Sequence, residues 1–158
     1  MQGNPYWYDL NPFWQAGFGL PNCTCYAWGR RFEITGEEPD TSLGNADTWF
    51  QYAVSHGQKT GQTPELGAMI TFHYTGSAAG DGGHVGVVEV INDDGTIVTS
   101  NSAYGGTYFY TQTLSPPNYS WGDWVVLDGF IYLECTSPPT PPPTKKKGKM
   151  PLWMYLWP

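Results

Sequence analysis

The order of patterns along the chain predicts an α+β fold, with N-terminal helices packed on a mostly antiparallel sheet of about five to six strands. Three observations carry this expectation. Two stretches with helical spacing, 22–33 and 44–54, precede every strand-like run. The runs that follow, between 68 and 133, are rich in β-branched and aromatic residues and are separated by Gly, Pro, Asn and Asp turns. Finally, fourteen prolines and twenty glycines among 158 residues imply many turns and few long helices, while 16% aromatic residues give bulky material for the core of one domain.

Residues 1–20, rich in Trp, Tyr, Phe, Asn, Gly and Pro, suit an ordered loop lying across the domain. Trp7, Trp14 and Phe18 have two uses there, covering the core or lining a groove; Trp14 is kept as a groove candidate with Tyr26 and Tyr104. The first helix opens at Asn22, a good N-cap preceded by Pro21, and puts Tyr26, Ala27 and Arg30 on the same side as Cys23. The second has Asn45 as its N-cap and Ala46, Trp49, Phe50 and Ala53 as its apolar stripe. Residues 55–61 read as a polar turn. Strands are expected at 68–74, 84–91, 96–101, 107–114 and 125–133, and the four-glycine loop 75–83 stands directly before His84.

The character of the chain changes after Leu133. Residues 1–135 form the expected domain. A proline-rich linker follows at 136–144, and then a tail, 145–158, with four lysines ahead of nine mostly apolar residues. Nine residues are too few to span a bilayer, which needs about twenty, so no transmembrane segment is expected. The tail reads as a docking segment or the start of a further module, with a membrane-surface anchor as the alternative. Its lysines also mask the charge of the domain. The net charge is −7, yet outside the tail only Arg30, Arg31 and Lys59 face all fourteen acidic residues. Such a body repels phosphate backbones, which excludes nucleic acid as a partner.

Cys23 is the most informative residue. A thiol in the first turn of a helix meets unpaired backbone N–H groups and the positive end of the helix dipole, both of which favour thiolate. His84 stands at the mouth of an apolar strand, and Asn101 ends the next one. A cysteine, a histidine and a polar residue so placed are the parts of a cysteine hydrolase. A two-residue turn within 92–95 would put Asn101 opposite Gly86 or Val88, on the face of His84, with Gly86 leaving room for it to reach imidazole Nδ1. A three-residue turn would reverse that parity. Glu89, by the same alternation, faces away from His84 as a solvent or hydrogen-bonding residue. His56 and His73 belong to no motif and read as structural or exposed. Backbone N–H groups at the helix start, that of Cys23 included, are candidates to stabilise an oxyanion, and Asn22 is a further donor whose capping role competes.

Metal chemistry has little support. Cys23, Cys25, Cys135 and three scattered histidines lack CxxC or HExxH spacing, and 93–95 reads as a turn rather than a calcium loop. Cys23 and Cys25, two apart on a helix, point to nearly opposite faces and cannot pair with each other. Cys25 is either bridged to Cys135 or, the commoner case, a buried thiol.

Five stretches carry a family resemblance: Asn22-Cys23-Thr24-x-Tyr26-Ala27-x-Gly29-Arg30, Gly44-Asn45-Ala46-x-x-Trp49, Pro64-x-x-Gly67-Ala68, Gly83-His84-Val85-Gly86-Val87-Val88-Glu89 and Ser100-Asn101-Ser102. In this order the chain resembles the CHAP domain, the cysteine, histidine-dependent amidohydrolases and peptidases of bacteria and bacteriophages. Cys25 departs from the pattern, since relatives carry a large aromatic residue there. The resemblance implies a papain-like or NlpC/P60-like fold. It also implies a peptidoglycan hydrolase cutting a wall amide, as an endopeptidase or N-acetylmuramoyl-L-alanine amidase, through a Cys23 thioester with His84 and Asn101. Calcium binds near the nucleophile in some members; here Asp9 is the lone upstream acid, so no cofactor is expected. The absence of a secretory signal in the first residues fits a phage endolysin or virion-associated lysin, held in the virion or host cell until lysis and acting at the wall, with tail or other virion proteins as partners of 145–158. A catalytically silent wall-binding or structural virion module and a cysteine transferase are the alternatives.

Overall fold

A computed structural model describes residues 4–133. Cys135, the expected linker 136–144 and the expected tail 145–158 lie outside the described residues. Helices α1 (Pro12–Gln15), α2 (Cys23–Thr35) and α3 (Trp49–Ser55) pack with six strands: β1 (Thr60–Gly61), β2 (Met69–Tyr74), β3 (His84–Ile91), β4 (Ile97–Asn101), β5 (Tyr110–Leu114) and β6 (Val125–Ile131). The sheet runs in the order β1-β6-β2-β3-β4-β5, and every neighbouring pair is antiparallel.

Asn22 starts α2. Its side-chain oxygen accepts from the Thr24 backbone N–H at 2.9 Å and from the Thr24 hydroxyl at 2.7 Å, satisfying one of the donors that a helix start leaves open. Gly29 does not break the helix, because it is where Trp7 docks: a Cβ at Gly29 would lie 2.5 Å from the indole ring. The inner side of α2 buries Cys25, Ala27 and Trp28 against Met69, Val85, Val87 and Ile131 on one sheet face. The opposite face, with Ile70, Phe72, Val88, Ile97, Leu114 and Phe130, is covered by Tyr119 and Trp121 from the β5–β6 connection. Two polar ties then fix α2 on the sheet. The buried guanidinium of Arg31 donates to the carbonyls of Gly67, Ile131 and Tyr132. Arg30 grips the Glu89 carboxylate through Nε at 2.8 Å and Nη2 at 2.9 Å, and also pairs with Glu33.

Several sequence expectations change in detail. Residues 55–61 are more than a polar turn, since Thr60 and Gly61 pair with Ile131 and Phe130 as an edge strand. Two residues carry too little side-chain pattern to signal a strand. Asn45 makes no side-chain cap; a 3₁₀ turn, Ala46–Thr48, precedes α3 instead, although Ala46, Trp49 and Ala53 are buried as expected. β5 begins at Tyr110 because 103–107 closes as a turn, with Ala103 N–H bonded to the Thr107 carbonyl.

The β3–β4 hairpin is the most consequential correction. Its loop has three residues, Asp93, Asp94 and Gly95, closed by Asn92 N–H to the Thr96 carbonyl at 2.8 Å, with Gly95 at φ 84°. Ile91 therefore faces Ile97, and Val90 faces Val98. The register then slips by one, with Val88 opposite Thr99 and Val87 opposite Ser100, so that Glu89 is the extra residue of a bulge. The long turn reverses the parity and the bulge restores it.

Because Glu89 is buried at the bulge and its side chain is only 6% exposed, removing its counter-charge leaves an uncompensated carboxylate. Arg30→Leu is expected to cost about 3–5 kcal/mol in urea unfolding, more than Lys59→Leu, which removes the exposed pair with Glu65.

Candidate active site

Cys23 occupies the first position of α2, half-buried and not disulfide-bonded. Burial pushes its thiol up, while the backbone N–H groups of Val85, Thr24 and Cys23 itself pull the other way. The amides thus act as the sequence predicts, but desolvation outweighs them. His84 starts β3 and is 5% exposed. Burial lowers its pKa, and the hydrogen bond with Asn101 partly offsets this. Burial thus shifts both groups toward their uncharged forms, the thiol upward and the imidazole downward.

The imidazole tautomer follows from its neighbours. His84 Nε2 lies 3.0 Å from Asn101 Oδ1, an atom that only accepts, so Nε2 carries the proton and Nδ1 is left as the basic nitrogen. The contact is through Nε2, not through Nδ1 as expected, because Asn101 approaches from beside Gly86 at the strand's interior. The amide is oriented in turn: Asn101 Nδ2 donates to Thr99 Oγ1 at 2.9 Å, and that hydroxyl donates to the Gln112 carbonyl at 3.3 Å. Gly86 makes the approach possible, since a Cβ there would lie 2.3 Å from Asn101 Oδ1. Glu89 points to α2, where it binds Arg30 and accepts from Ser100 at 2.7 Å, so it is a hydrogen-bonding residue and not a solvent-facing one.

Two clefts meet at the thiol. One, of about 470 Å³, is lined by Phe13, Phe18, Asn22, Cys23, Leu43 and Tyr104 among others. The other, of about 560 Å³, is lined by Cys23, Tyr74, His84, Tyr104, Tyr110 and Trp121 among others. Cys23 and Tyr104 border both, so the two form the arms of one groove. Asn22 lines the first arm; its side-chain oxygen is spent on the cap, which leaves the amide NH2 as its donor group.

The structure thus brings Cys23, His84, Asn101, Asn22 and Tyr104 to one site, with Tyr104 76% exposed on the groove. It removes the other two groove candidates. Tyr26 is 3% exposed, packed between Trp7 and Phe109 with its hydroxyl bonded to Ser100, so these neighbours cover the ring that the helix places on the side of the thiol. Trp14 is 40% exposed but lies over Gly19 and edge-on to Tyr8, bordering neither arm. Phe18 lines the groove in its place. Tyr74, Tyr110 and Trp121 were missed. The Trp121 ring stands edge-on to the imidazole at 5.6 Å, and the Tyr110 hydroxyl lies 3.5 Å from Nε2. Tyr110 sits opposite Asn101 in the β4–β5 pairing, a position that a correct strand boundary reveals.

The remaining polar candidates play other parts. Cys25 is a fully buried free thiol, pushed up to about 12 by burial. His73 pairs with Asp128 at 2.6 Å, and exposed His56 stacks on Tyr52. Among the described residues no three His, Cys, Asp or Glu side chains converge on an ion position, and Asp9 is exposed. No helix among the described residues is long and apolar enough to cross a membrane.

Comparison with known proteins bears on this geometry. A model of the CHAP domain matches residues 13–103, a stretch that contains Cys23, His84 and Asn101. The chain is 44% identical over 89 residues to Probable autolysin LDP of Staphylococcus aureus, covering 56% of this chain and 30% of that protein. It is 31% identical over 104 residues to an N-acetylmuramoyl-L-alanine amidase domain-containing protein of the same species, covering 62% of this chain and 16% of that one. A crystal structure of an N-acetylmuramoyl-L-alanine amidase from S. aureus matches with a TM-score of 0.56 at 27% identity, covering 69% of this chain and 31% of the other. The matches therefore span no more than about a third of these relatives. Helices on a six-stranded antiparallel sheet, a thiol at a capped helix start and a family match over more than half its length together establish that the chain belongs to the CHAP domain family, with its papain-like α+β fold.

Proposed function

We propose that the protein is a cysteine hydrolase of bacterial peptidoglycan that cuts an amide in the peptide part of the wall, between peptide residues or at the junction of peptide and glycan. The observation that carries this reading is a thiol on a capped helix start sharing a groove with an imidazole whose tautomer is held by Asn101. The family and the relatives named autolysin and amidase supply the substrate class. Deployment as a phage endolysin or virion-associated lysin is part of the proposal and has its own test: retention of the protein in purified virions marks the second, and its presence only in infected cells before lysis marks the first.

In the proposed reaction, Nδ1 of His84 takes the Cys23 proton as sulfur adds to the amide carbonyl. Neutral partners suit this step, since the charges are created only as the bond forms. The oxyanion is received by the Cys23 backbone N–H and the Asn22 amide, donors that cost no reorganisation when charge develops. His84 returns the proton to the amine nitrogen, the C–N bond breaks, and the thioester remains. Water attacks it, giving its proton to Nδ1, and the thiol leaves with that proton. The groove acquires a direction from these roles. Asn22 borders one arm, which takes the acyl part; His84 borders the other, which takes the leaving amine.

Wild-type protein is expected to release free amino groups from purified wall fragments, read by mass analysis of the products, and Cys23→Ala to release none. New amide cross-links would mark a transferase, and binding without product would mark a silent module. Asn101→Ala is expected to lower kcat by roughly tenfold to a hundredfold, the scale for removing a histidine's orienting partner. Gly86→Ala is expected to act in the same direction by displacing the Asn101 amide, and near-normal turnover in both variants would remove Asn101 from the mechanism.

The pKa directions set the pH response. A thiol raised by burial is protonated at neutral pH, so alkylation of resting Cys23 by iodoacetamide is expected to climb with pH through the alkaline range. A plateau of high reactivity reached in mild acid would show an ion pair instead. For His84 the sign is opposite: its folded pKa lies below its unfolded value, so the unfolded chain binds more protons in acid. Its contribution to stability is therefore complete above about pH 6.5 and is lost as the pH falls toward the folded value.

A further inference from the structure

Asp81 stands where the two arms of the groove meet, lining both together with Cys23, Gly83 and Tyr104. It is the one carboxylate in that lining, and no lysine or arginine borders either arm. Each of the cations among the described residues is engaged elsewhere: Arg30 with Glu33 and Glu89, Arg31 with the carbonyls of Gly67, Ile131 and Tyr132, and Lys59 with Glu65. The Asp81 side chain is exposed and makes no hydrogen bond or ion pair with the described residues. Its charge is felt at the groove wall, where burial and then the charges of Cys23, Tyr110 and Asp81 push the Tyr74 hydroxyl up to about 12.

An exposed carboxylate costs little while water fills the groove. A bound substrate displaces that water, and the charge then faces Phe13, Phe18 and Leu43 in one arm and Tyr74 and Trp121 in the other. A ligand that carries a cation beside the scissile bond supplies the missing partner, whereas one with a carboxylate there adds repulsion.

Resting on the hydrolase reading above, we propose that Asp81 is a specificity-determining residue that selects wall peptides carrying a free ammonium group next to the scissile amide. Two sources present this chemistry, the α-amine at a peptide's free end and the side-chain amine of a diamino acid.

The test measures binding to the full chain carrying Cys23→Ala, so that no peptide is consumed. Synthetic wall peptides are used in pairs, free amine against N-acetylated amine, one pair for each source. The free-amine member of one pair is expected to bind about twofold to fivefold more tightly at low ionic strength, the scale of a solvent-accessible ion pair, and the pair that shows this identifies the source. The ratio is expected to fall toward one as salt is added. Adding Asp81→Asn is expected to collapse the ratio to one, and Asp81→Glu to retain a preference, which a merely structural role would not do. Equal binding within both pairs, absence of binding by the free-amine peptides, or a preference that survives Asp81→Asn overturns the assignment. Cleavage by the wild-type protein is scored separately: selective binding without cleavage defeats the hydrolase reading alone, and cleavage without selectivity defeats the role of Asp81 alone.

Discussion

The hydrogen bond from His84 to Asn101 is the constraint on which the site depends, and it is a product of strand register. Two residues seventeen apart in sequence face each other only if β3 and β4 keep Asn101 opposite the one position on the strand without a side chain. A slip of one residue would turn Asn101 to the helix face and place Ser100 beside the imidazole. The histidine would then have no fixed tautomer, and the basic nitrogen would not be assigned to the side that the chemistry needs.

The helix side of the sheet has its own requirement, the placement of a helix start rather than of a side chain. Asn22 determines where α2 begins, and the Arg30 and Arg31 ties determine how it lies on β3 and β6. Between these anchors Cys25, Ala27 and Trp28 fill the interface with Met69, Val85 and Val87. The thiol of Cys23 thus inherits its position from a cap on one side and a buried ion pair two turns further along. Burial has an electrostatic consequence as well: the same packing that positions the thiol and the imidazole pushes the pKa of the first up and of the second down.

Much of this was legible in the sequence. Cys23 at a helix start, β3 at its true bounds and the shared face of His84 and Asn101 follow from capping chemistry and the two-residue period of a strand. The reasoning about Asn101 nevertheless reached the right face from a wrong turn, since the three-residue loop and the Glu89 bulge cancel. A bulge leaves no trace in an alternating pattern until the partner strand is known. Asn45 looked like a cap by residue type and has the extended backbone of one, but its side chain makes no capping hydrogen bond to the 3₁₀ turn that it opens. Tyr26 and Trp14 were misplaced because a position on a helix or in a loop says which residues are neighbours and not which side a neighbouring loop covers. Trp7 settles that for Tyr26. The aromatic wall of Tyr74, Tyr110 and Trp121 comes from three separate strands or loops, and only the sheet order brings them together.

The compensation within the hairpin ties together two otherwise separate traits. Glu89 is at once the residue that absorbs the odd turn and the anion that holds Arg30. A descendant of this domain that loses one residue from the tip at 93–95 must also flatten the strand at Glu89, or its asparagine leaves the imidazole. Flattening the strand removes the helix from its anchor. Turn length here is therefore inherited jointly with helix docking, and the hairpin tip, although remote from the groove and open to solvent, has less freedom to lengthen or shorten than a surface loop ordinarily enjoys.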